Sequence, residues 1–354
     1  MINQPSHIQN IPVYRPGKSS VEGWGGPLYK LSSNENPYPP LPSVLEVIAE
    51  AASHIERYPN MAVPELRGKL AERLGVSYED LSFGSGSVEV AGQLIRAFAG
   101  AGDEVIYAWR SFEAYPILVR GAGATPVEVP LTADHRHDLP AMLKAISPAT
   151  KVIFVCTPNN PTGTVVEHDE LRVFLRGVPS NVLVVIDEAY VHFQTDPQAA
   201  RGLELYDEFE NVAVLHTFSK AYGLAGLRLG YAVARQDVRD GLEKVALPFG
   251  VTDIAQAAGV KSLEVETELQ ERIDVLVAER EALEAYLATT DWNAPRSQAN
   301  FVWLPAGEKT DALQEHLMSR GIIGRAFSGN GIRISIGTPE ANAVLVAALQ
   351  AWQA

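Results

Sequence analysis

The sequence predicts an α/β fold in which helices flank a mainly parallel sheet, accompanied by a smaller α+β domain. Between Glu104 and Ala234, short apolar runs alternate with helical patterns, and several of these runs have no polar face. A strand that is apolar on both sides must be covered on both sides, as strands of a parallel sheet are. After Pro248 the regular alternation stops, which indicates a second architecture.

The large sheet is predicted from six apolar runs of β-forming residues. They lie at 104–108, 126–129, 152–156, 182–186, 212–215 and 229–233. Helices are predicted at 88–98 and 141–146, the first because its apolar residues recur on one stripe.

The last third of the chain begins with a long helical pattern, in which leucine and isoleucine recur at a spacing near 3.6 from Leu269 to Leu287. Strands are then predicted at 301–304, 322–325 and 332–336, and helices at 311–319 and 341–352. The start of the chain is rich in proline as far as Pro42, so it is predicted to be an extended arm. We therefore expect an arm and part of the small domain at 1–42, a large domain at 43–247, and a connecting helix with the small domain at 248–354.

Composition and charge exclude several classes of protein. The 354 residues are 46% hydrophobic and 20% charged, which rules out a disordered, collagenous or coiled-coil chain. Against 43 Asp and Glu there are 29 Lys and Arg, a net charge of -14. That sign is unfavourable for binding phosphate backbones or anionic lipid, so we expect neither nucleic acid nor membrane partners.

The cellular location is predicted from cysteine usage and from the N-terminus. The single cysteine, Cys156, permits no internal disulfide, and no Cys/His pairs have zinc spacing. A signal peptide has a basic region followed by an apolar run, and the first residues of this sequence have neither. We therefore expect a cytoplasmic protein.

Three polar groups follow predicted strands. Lys220 ends the segment Thr217-Phe-Ser-Lys, which follows the run that ends at Leu215. Asp187 comes at the end of the run 182–186, and Asn160 follows the run that ends at Cys156. Each residue alone is more often a turn or surface residue. Ligands of open α/β sheets bind at the carboxyl ends of the strands, so three such groups together indicate a site.

A glycine-rich turn, Gly84-Ser-Gly-Ser, opens the helix predicted near Val88 and offers free N–H groups to a phosphate. A dinucleotide fingerprint would need glycine where Glu89 stands, and a P-loop would need Gly-Lys-Ser/Thr, which is absent. With Arg228, an acid, an amide and a lysine, the set matches what pyridoxal phosphate requires.

These motifs, in their order and spacing, resemble those of fold-type I aminotransferases, and most closely the histidinol-phosphate aminotransferase-like branch that includes bacterial aromatic amino acid aminotransferases. The resemblance covers nearly the whole chain. It is carried by Ser33-Asn-Glu-Asn-Pro-Tyr, Arg57-Tyr-Pro-Asn, Pro158-Asn-Asn-Pro-Thr-Gly, Asp187-Glu-Ala-Tyr, Thr217-Phe-Ser-Lys-Ala-Tyr-Gly and Arg333-Ile-Ser-Ile-Gly.

The resemblance implies roles for individual residues. Lys220 would hold pyridoxal phosphate as a Schiff base and move the proton during catalysis, Asp187 would bond the pyridine nitrogen, and Tyr190 with Asn160 would bond the phenolic oxygen. Phe112 would stack on the ring, in place of the tyrosine of many relatives. The phosphate would be held by Gly86, Ser87, Val88, Thr217 or Ser219, and Arg228.

The same resemblance implies a homodimer with shared sites, because Tyr58 matches a residue that reaches the neighbouring subunit's phosphate. Arg333 matches the arginine that binds the substrate carboxylate, and Asn160, Arg325 and Tyr14 are further candidates for substrate binding. At Val88 many relatives have aspartate; because this position would act through its backbone N–H, we expect little effect.

The expected reaction is transamination of phenylalanine, tyrosine and possibly tryptophan with 2-oxoglutarate, giving the 2-oxo acid and L-glutamate. The segment from Trp109 to Pro116 resembles the aromatic branch. Arg325 favours the alternative substrate, histidinol phosphate, since a second arginine suits a phosphate. A lyase or decarboxylase on the same fold and a non-catalytic protein that retains the cofactor are further alternatives.

Overall fold

The computed structural model describes residues 2–9, 11–14 and 17–352. The strands in these ranges are β1 Tyr29–Lys30, β2 Leu81–Ser85, β3 Glu104–Trp109, β4 Thr125–Pro130, β5 Thr150–Cys156, β6 Leu183–Asp187, β7 Val212–Thr217, β8 Leu229–Val233, β9 Phe301–Leu304, β10 Ile322–Ile323, β11 Arg325–Phe327 and β12 Gly331–Ser335. The helices are α1 Ser6–Gln9, α2 Pro42–Ala51, α3 Pro64–Leu74, α4 Ser87–Phe98, α5 Ala114–Gly121, α6 Leu139–Lys144, α7 His168–Gly177, α8 Gly202–Glu208, α9 Gln236–Val245, α10 Asp253–Glu264, α11 Glu266–Leu287, α12 Thr310–Met318 and α13 Pro339–Gln350.

Seven strands form the large sheet, in the order β2-β8-β7-β6-β5-β3-β4. Strand β8 runs antiparallel to both of its neighbours, and the other pairs are parallel. The prediction of a mainly parallel sheet is therefore confirmed. In β6 and β7 every residue is buried, which explains why their sequences lack a polar face.

Helices cover both faces of this sheet because alternate side chains of each strand point to opposite sides. In β5, Ile153 and Val155 belong to one hydrophobic cluster, whereas Val152 and Phe154 belong to another. The second cluster contains the buried sides of α4, α5 and α9, and the first contains those of α6, α7 and α8. The sheet thus lies between two helical layers.

Strands β11, β12 and β9 form a smaller antiparallel sheet, and β10 pairs with β1. The single strand expected at 322–325 is wrong: it is two strands with different partners. Gly324 separates them, and a Cβ atom there would lie 2.7 Å from Ile332 Cγ2. A side chain at this position would therefore collide with Ile332 of β12.

Two further segments differ from the sequence-based expectation. Strand β2 was not predicted, because its Leu-Ser-Phe-Gly-Ser sequence is short and poor in β-branched residues. Pro42, expected in the extended arm, instead begins α2, where proline costs no hydrogen bond. The domain boundaries at 42/43 and 247/248 stay predictions. None of the helices in the described ranges has the length and apolar composition needed to cross a bilayer.

The close approach of β8 to the start of α4 gives a prediction about stability. Gly230 pairs with Gly84 of β2, and a Cβ atom on Gly230 would overlap the backbone of Gly86 and Ser87. We expect Gly230→Ala to lower the free energy of unfolding by about 1–3 kcal/mol, because backbone must move to accept the methyl group.

Urea denaturation of the two proteins measures this change. Gly68→Ala in α3 is the matched control, since a Cβ atom there meets nothing within 4 Å. The control is expected to stabilise the helix by about 0.5–1 kcal/mol. Equal effects of the two substitutions would show that the contact beside Gly230 is unimportant.

Candidate active site

A cavity of about 140 Å³ lies where β5, β6 and β7 end. The register of the sheet pairs Cys156 with Asp187, and Asp187 with Leu215, so the three strand ends meet at one level. The cavity is lined by Ser87, Val88, Phe112, Cys156, Asn160, Asp187, Ala189, Tyr190, Thr217, Ser219, Lys220, Ala225 and Arg228. All of these except Cys156, Ala189 and Ala225 are site residues predicted from the sequence.

Lys220 lies just beyond the end of β7 and carries the amine of this cavity. Its Nζ donates a hydrogen bond to the Ser33 carbonyl oxygen at 3.2 Å and lies 5.8 Å from the centre of the Tyr190 ring. Burial lowers the pKa of this amine to about 7, and the charge of Arg333 acts in the same direction. At neutral pH a large fraction of the amine is therefore uncharged, as a nucleophile or base must be.

Asp187, the last residue of β6, is the buried acid. The Tyr115 hydroxyl donates to its Oδ2 at 2.5 Å, and the Ala189 N–H donates to its Oδ1 at 3.2 Å. Burial raises the pKa of this carboxyl group, and the hydrogen bond from Tyr115 opposes that rise. A positively charged N–H donor bound in the cavity would favour the ionised carboxylate.

Tyr190 and Asn160 form the side of the cavity nearest the small sheet. Asn34 Nδ2 donates to the Tyr190 hydroxyl at 3.0 Å, and Arg333 Nη1 donates to Asn160 Oδ1 at 2.6 Å. Arg333 Nη2 also donates to the Ser32 carbonyl oxygen at 2.7 Å. Burial raises the pKa of the Tyr190 hydroxyl, whereas the charge of Arg333 lowers it. The arginine thus reaches the cavity through Asn160.

The opposite side of the cavity is suited to an anion. Gly86 has a φ of 84° and precedes the first turn of α4, whose N–H groups have no partner within the helix. A Cβ atom on Gly86 would overlap Arg228 Nη2, so glycine lets this guanidinium approach the turn. Arg228 Nη1 donates to Ser219 Oγ at 3.3 Å, and Thr217 Oγ1 donates to the same oxygen at 3.0 Å. Helix N–H groups, hydroxyls and a guanidinium are the usual ligands of phosphate.

The remaining predicted residues lie outside the cavity lining. Arg333 is behind Asn160, and Arg325 is held by Glu113 rather than facing the cavity. Tyr14 is half exposed; Tyr58 is 81% exposed, and its ring centroid lies 4.5 Å from that of Phe249. The contribution of Tyr58 to a second subunit's site stays a prediction.

Several residues of the site were missed in the sequence. Asn34 and Ser32 lie in or beside the motif that starts at Ser33, but nothing in the sequence indicates that they contact Tyr190 and Arg333. Tyr115 lies in α5, and its contact with Asp187 joins residues 72 positions apart. The only signal was its place in the segment from Trp109 to Pro116, which resembles the aromatic branch.

A large sheet with one antiparallel strand, and a lysine at its carboxyl edge facing an anion site at a helix N-terminus, define the fold-type I class of transferases. The family model for aminotransferase class I and II matches residues 27–349, and the chain belongs to this family. It is therefore an aminotransferase.

Relatives of known name agree with this assignment. The chain is 52% identical to the aromatic amino acid aminotransferase of Streptomyces avermitilis, over 96% of this chain and 95% of that protein. It is 51% identical to the protein of the same name from Cutibacterium acnes, over 97% and 96%. Among solved structures, histidinol-phosphate aminotransferase from Sinorhizobium meliloti in complex with pyridoxal-5'-phosphate has a TM-score of 0.87 at 28% identity, covering 99% of this chain and 97% of that chain.

The hydrogen bond between Tyr115 and Asp187 gives a prediction about pH dependence. Tyr115→Phe removes a donor from a buried acceptor, which is expected to cost about 1–3 kcal/mol of unfolding free energy. The loss should be largest at pH 8 and smaller at pH 5, because burial raises the pKa of Asp187 and the carboxyl group needs the donor most when ionised.

Urea denaturation of the cofactor-free protein at both pH values measures this effect. Tyr222→Phe is the control, because its hydroxyl makes no hydrogen bond to other described residues, although the ring is buried. A loss in Tyr115→Phe that is the same at both pH values would show that the hydroxyl does not act on the Asp187 carboxylate.

Proposed function

We propose that this aminotransferase moves the amino group of aromatic L-amino acids, chiefly phenylalanine and tyrosine, to 2-oxoglutarate, with pyridoxal phosphate as cofactor. The products are the aromatic 2-oxo acid and L-glutamate. The observation that carries the proposal is the shared cavity of Lys220 and Asp187, with an anion site on one side and Arg333 behind the other. The names of relatives near 50% identity support the aromatic substrate class.

The residues present fit this cofactor. The Lys220 amine is suited to an aldehyde, the Asp187 carboxyl to a ring nitrogen, and the turn at Gly86 with Arg228 to a phosphate. Phe112 lines the same cavity and supplies an apolar ring for stacking. When bound, pyridoxal phosphate supplies an electron sink for the bonds at the substrate's α-carbon.

Side chains of the protein transfer the proton and orient the reacting groups. Lys220, with a pKa lowered to about 7, accepts a proton at the substrate's α-carbon and returns it as a general acid. With the cofactor bound, the Asp187 carboxylate would keep the ring nitrogen protonated, and Tyr190 and Asn160 would be placed to hydrogen-bond the phenolic oxygen. The Tyr115 and Ala189 donors keep the Asp187 carboxylate in one orientation.

Arg333 is the group we assign to the substrate's carboxylate. Its Nη atoms donate to Asn160 and Ser32, but its buried Nε has no hydrogen-bond partner among the described residues. A buried donor without a partner is costly, so this guanidinium has capacity for one more acceptor. A carboxylate is the acceptor that matches its planar fork.

Histidinol phosphate is the second candidate substrate, because a structural neighbour at 28% identity carries that name. Its dianionic phosphate would need more positive charge than one free arginine. In this structure Arg325 is already paired with the Glu113 carboxylate, so the site suits an aromatic donor better than histidinol phosphate. Lyase or decarboxylase chemistry would use the same lysine and acid and differs only in the bond broken.

A homodimer with shared active sites and a cytoplasmic location complete the proposal. Tyr58 lies on the surface in a single chain and stacks on Phe249, which is also exposed. These two rings offer an apolar surface to a second copy. The single cysteine, which is buried, agrees with a reducing compartment.

The lowered pKa of Lys220 predicts how the cofactor attaches. When pyridoxal phosphate is added to cofactor-free protein, the rate of covalent attachment should rise through about pH 7 and then level off, because only the uncharged amine attacks an aldehyde. Borohydride reduction followed by peptide mass spectrometry measures attachment and its position. Lys220→Ala should give no adduct.

Lys30→Ala is the matched control, since Lys30 lies outside the cavity lining and its amine is paired with Glu35. This variant should retain the adduct at Lys220. A rate that keeps rising to pH 10 would mean that the pKa of the Lys220 amine is not lowered. An adduct in Lys220→Ala would show that another residue binds the aldehyde.

The substrate proposal is tested with a panel of amino donors against 2-oxoglutarate. We expect kcat/KM for phenylalanine to exceed that for alanine by about a hundredfold, the factor that burial of an aromatic ring implies. Phenylalanine should also exceed histidinol phosphate. A preference for histidinol phosphate would overturn the aromatic assignment, and 2-oxoglutarate-independent loss of carbon dioxide would indicate a decarboxylase.

A further inference from the structure

Two arginines stand opposite each other in the small sheet. Arg325 of β11 and Arg333 of β12 are partners in the antiparallel register, so their side chains leave the same face of the sheet. Two positive charges in this position repel each other unless another group compensates. The two arginines have different partners, although they are directly opposite each other; Arg325 lies on the edge strand of the small sheet and Arg333 on its central strand.

The difference comes from Glu113. Its Oε2 accepts hydrogen bonds from Arg325 Nε at 3.1 Å and from Arg325 Nη2 at 2.7 Å. Arg333 instead donates to the neutral oxygens of Asn160 and Ser32. One guanidinium therefore has a carboxylate partner, and the other keeps its charge available for an anion.

The ion pair lies outside the cavity lining and is linked to the proposed substrate site through Phe112 and Arg333. Glu113 directly follows Phe112, which lines the cavity, and it precedes the first turn of α5. The side chains of Arg325 and Glu113 are only 15% and 28% exposed, so water screens the pair weakly. Both charges act on Arg333: that of Arg325 lowers its pKa, and that of Glu113 raises it.

We propose that Glu113 sets the preference among amino donors by neutralising Arg325, so that the site favours an aromatic side chain over one that ends in an anion. This inference rests on the proposed transamination. An anionic side chain would have to displace the Glu113 carboxylate from Arg325 before it gained an arginine partner. Glutamate and 2-oxoglutarate, which the same site must accept in the proposed reaction, bear this cost as well and are expected to bind less tightly than the aromatic pair. An aromatic side chain has no such cost. The ring of Phe327 lies beside the ion pair, with its centre 5.7 Å from the Arg325 guanidinium carbon, and offers an apolar contact.

Glu113→Gln tests the proposal, because it preserves the size of the side chain and removes its charge. We expect kcat/KM for glutamate, aspartate and histidinol phosphate, each taken relative to phenylalanine, to rise about tenfold or more, as expected for one added charge-assisted hydrogen bond. Each donor is measured alone in a single half-turnover, so that the acceptor does not enter the comparison.

Three control variants separate this effect from general damage. Glu113→Asp keeps the charge and should keep the parent's preference. Adding Arg325→Gln to Glu113→Gln should abolish the gain, since the freed arginine is then absent. Glu208→Gln removes the same charge from an arginine pair between α7 and α8, outside the cavity lining, and should leave the preference unchanged.

A binding measurement distinguishes this inference from the proposed function. Calorimetry compares glutarate, which has a second carboxylate, with 3-phenylpropionate, which has a ring; Glu113→Gln should favour glutarate about tenfold more than the parent does. An unchanged ratio, or a gain that persists without Arg325, would overturn the role of Glu113. If the parent protein fails to use phenylalanine, the proposed function is wrong, and the glutarate ratio still decides the role of Glu113.

Discussion

The burial of Lys220 and Asp187 in one cavity is the constraint on which the rest of the structure depends. Burial shifts both groups toward their uncharged forms: the pKa of the lysine falls to about 7, and that of the carboxyl group rises. Burial of an ionisable group costs free energy unless the group is hydrogen-bonded. Ser33 accepts from the amine, and Tyr115 and Ala189 donate to the acid. A site held in this way is organised before any ligand binds.

The sheet places these groups together, because its neighbouring parallel strands end at one edge. The antiparallel strand β8 then brings Gly230 against the start of α4, and the glycine turn at Gly86 lets the Arg228 guanidinium approach the same turn. At Gly230 the contact favours glycine, since a Cβ atom would overlap backbone, and at Gly86 the φ of 84° favours it. The anion site therefore results from the same packing that closes the sheet.

Much of this arrangement was predictable from local sequence. Runs such as 182–186 and 212–215 are apolar throughout, so they indicate buried strands, and their ends indicate where polar groups meet. Strand β2 was not predictable, because Ser and Gly dominate it and its pairing with β8 supplies the stability. The contacts of Tyr115 and Glu113 join residues 72 and 212 positions apart, and no periodicity encodes such pairs.

The two arginines of the small sheet show why substrate choice is the property least visible in the sequence. Arg325 and Arg333 are the same residue type on the same face of paired strands, yet one faces neutral oxygens and the other a carboxylate. Their partners come from distant segments: Ser32 near the start of the chain, Asn160 after β5 and Glu113 before α5. Lys220 and Asp187 do not depend on the identity of residue 113. Under the proposed function, a change of charge at position 113 would alter the preference among donors and leave Lys220 and Asp187 in place.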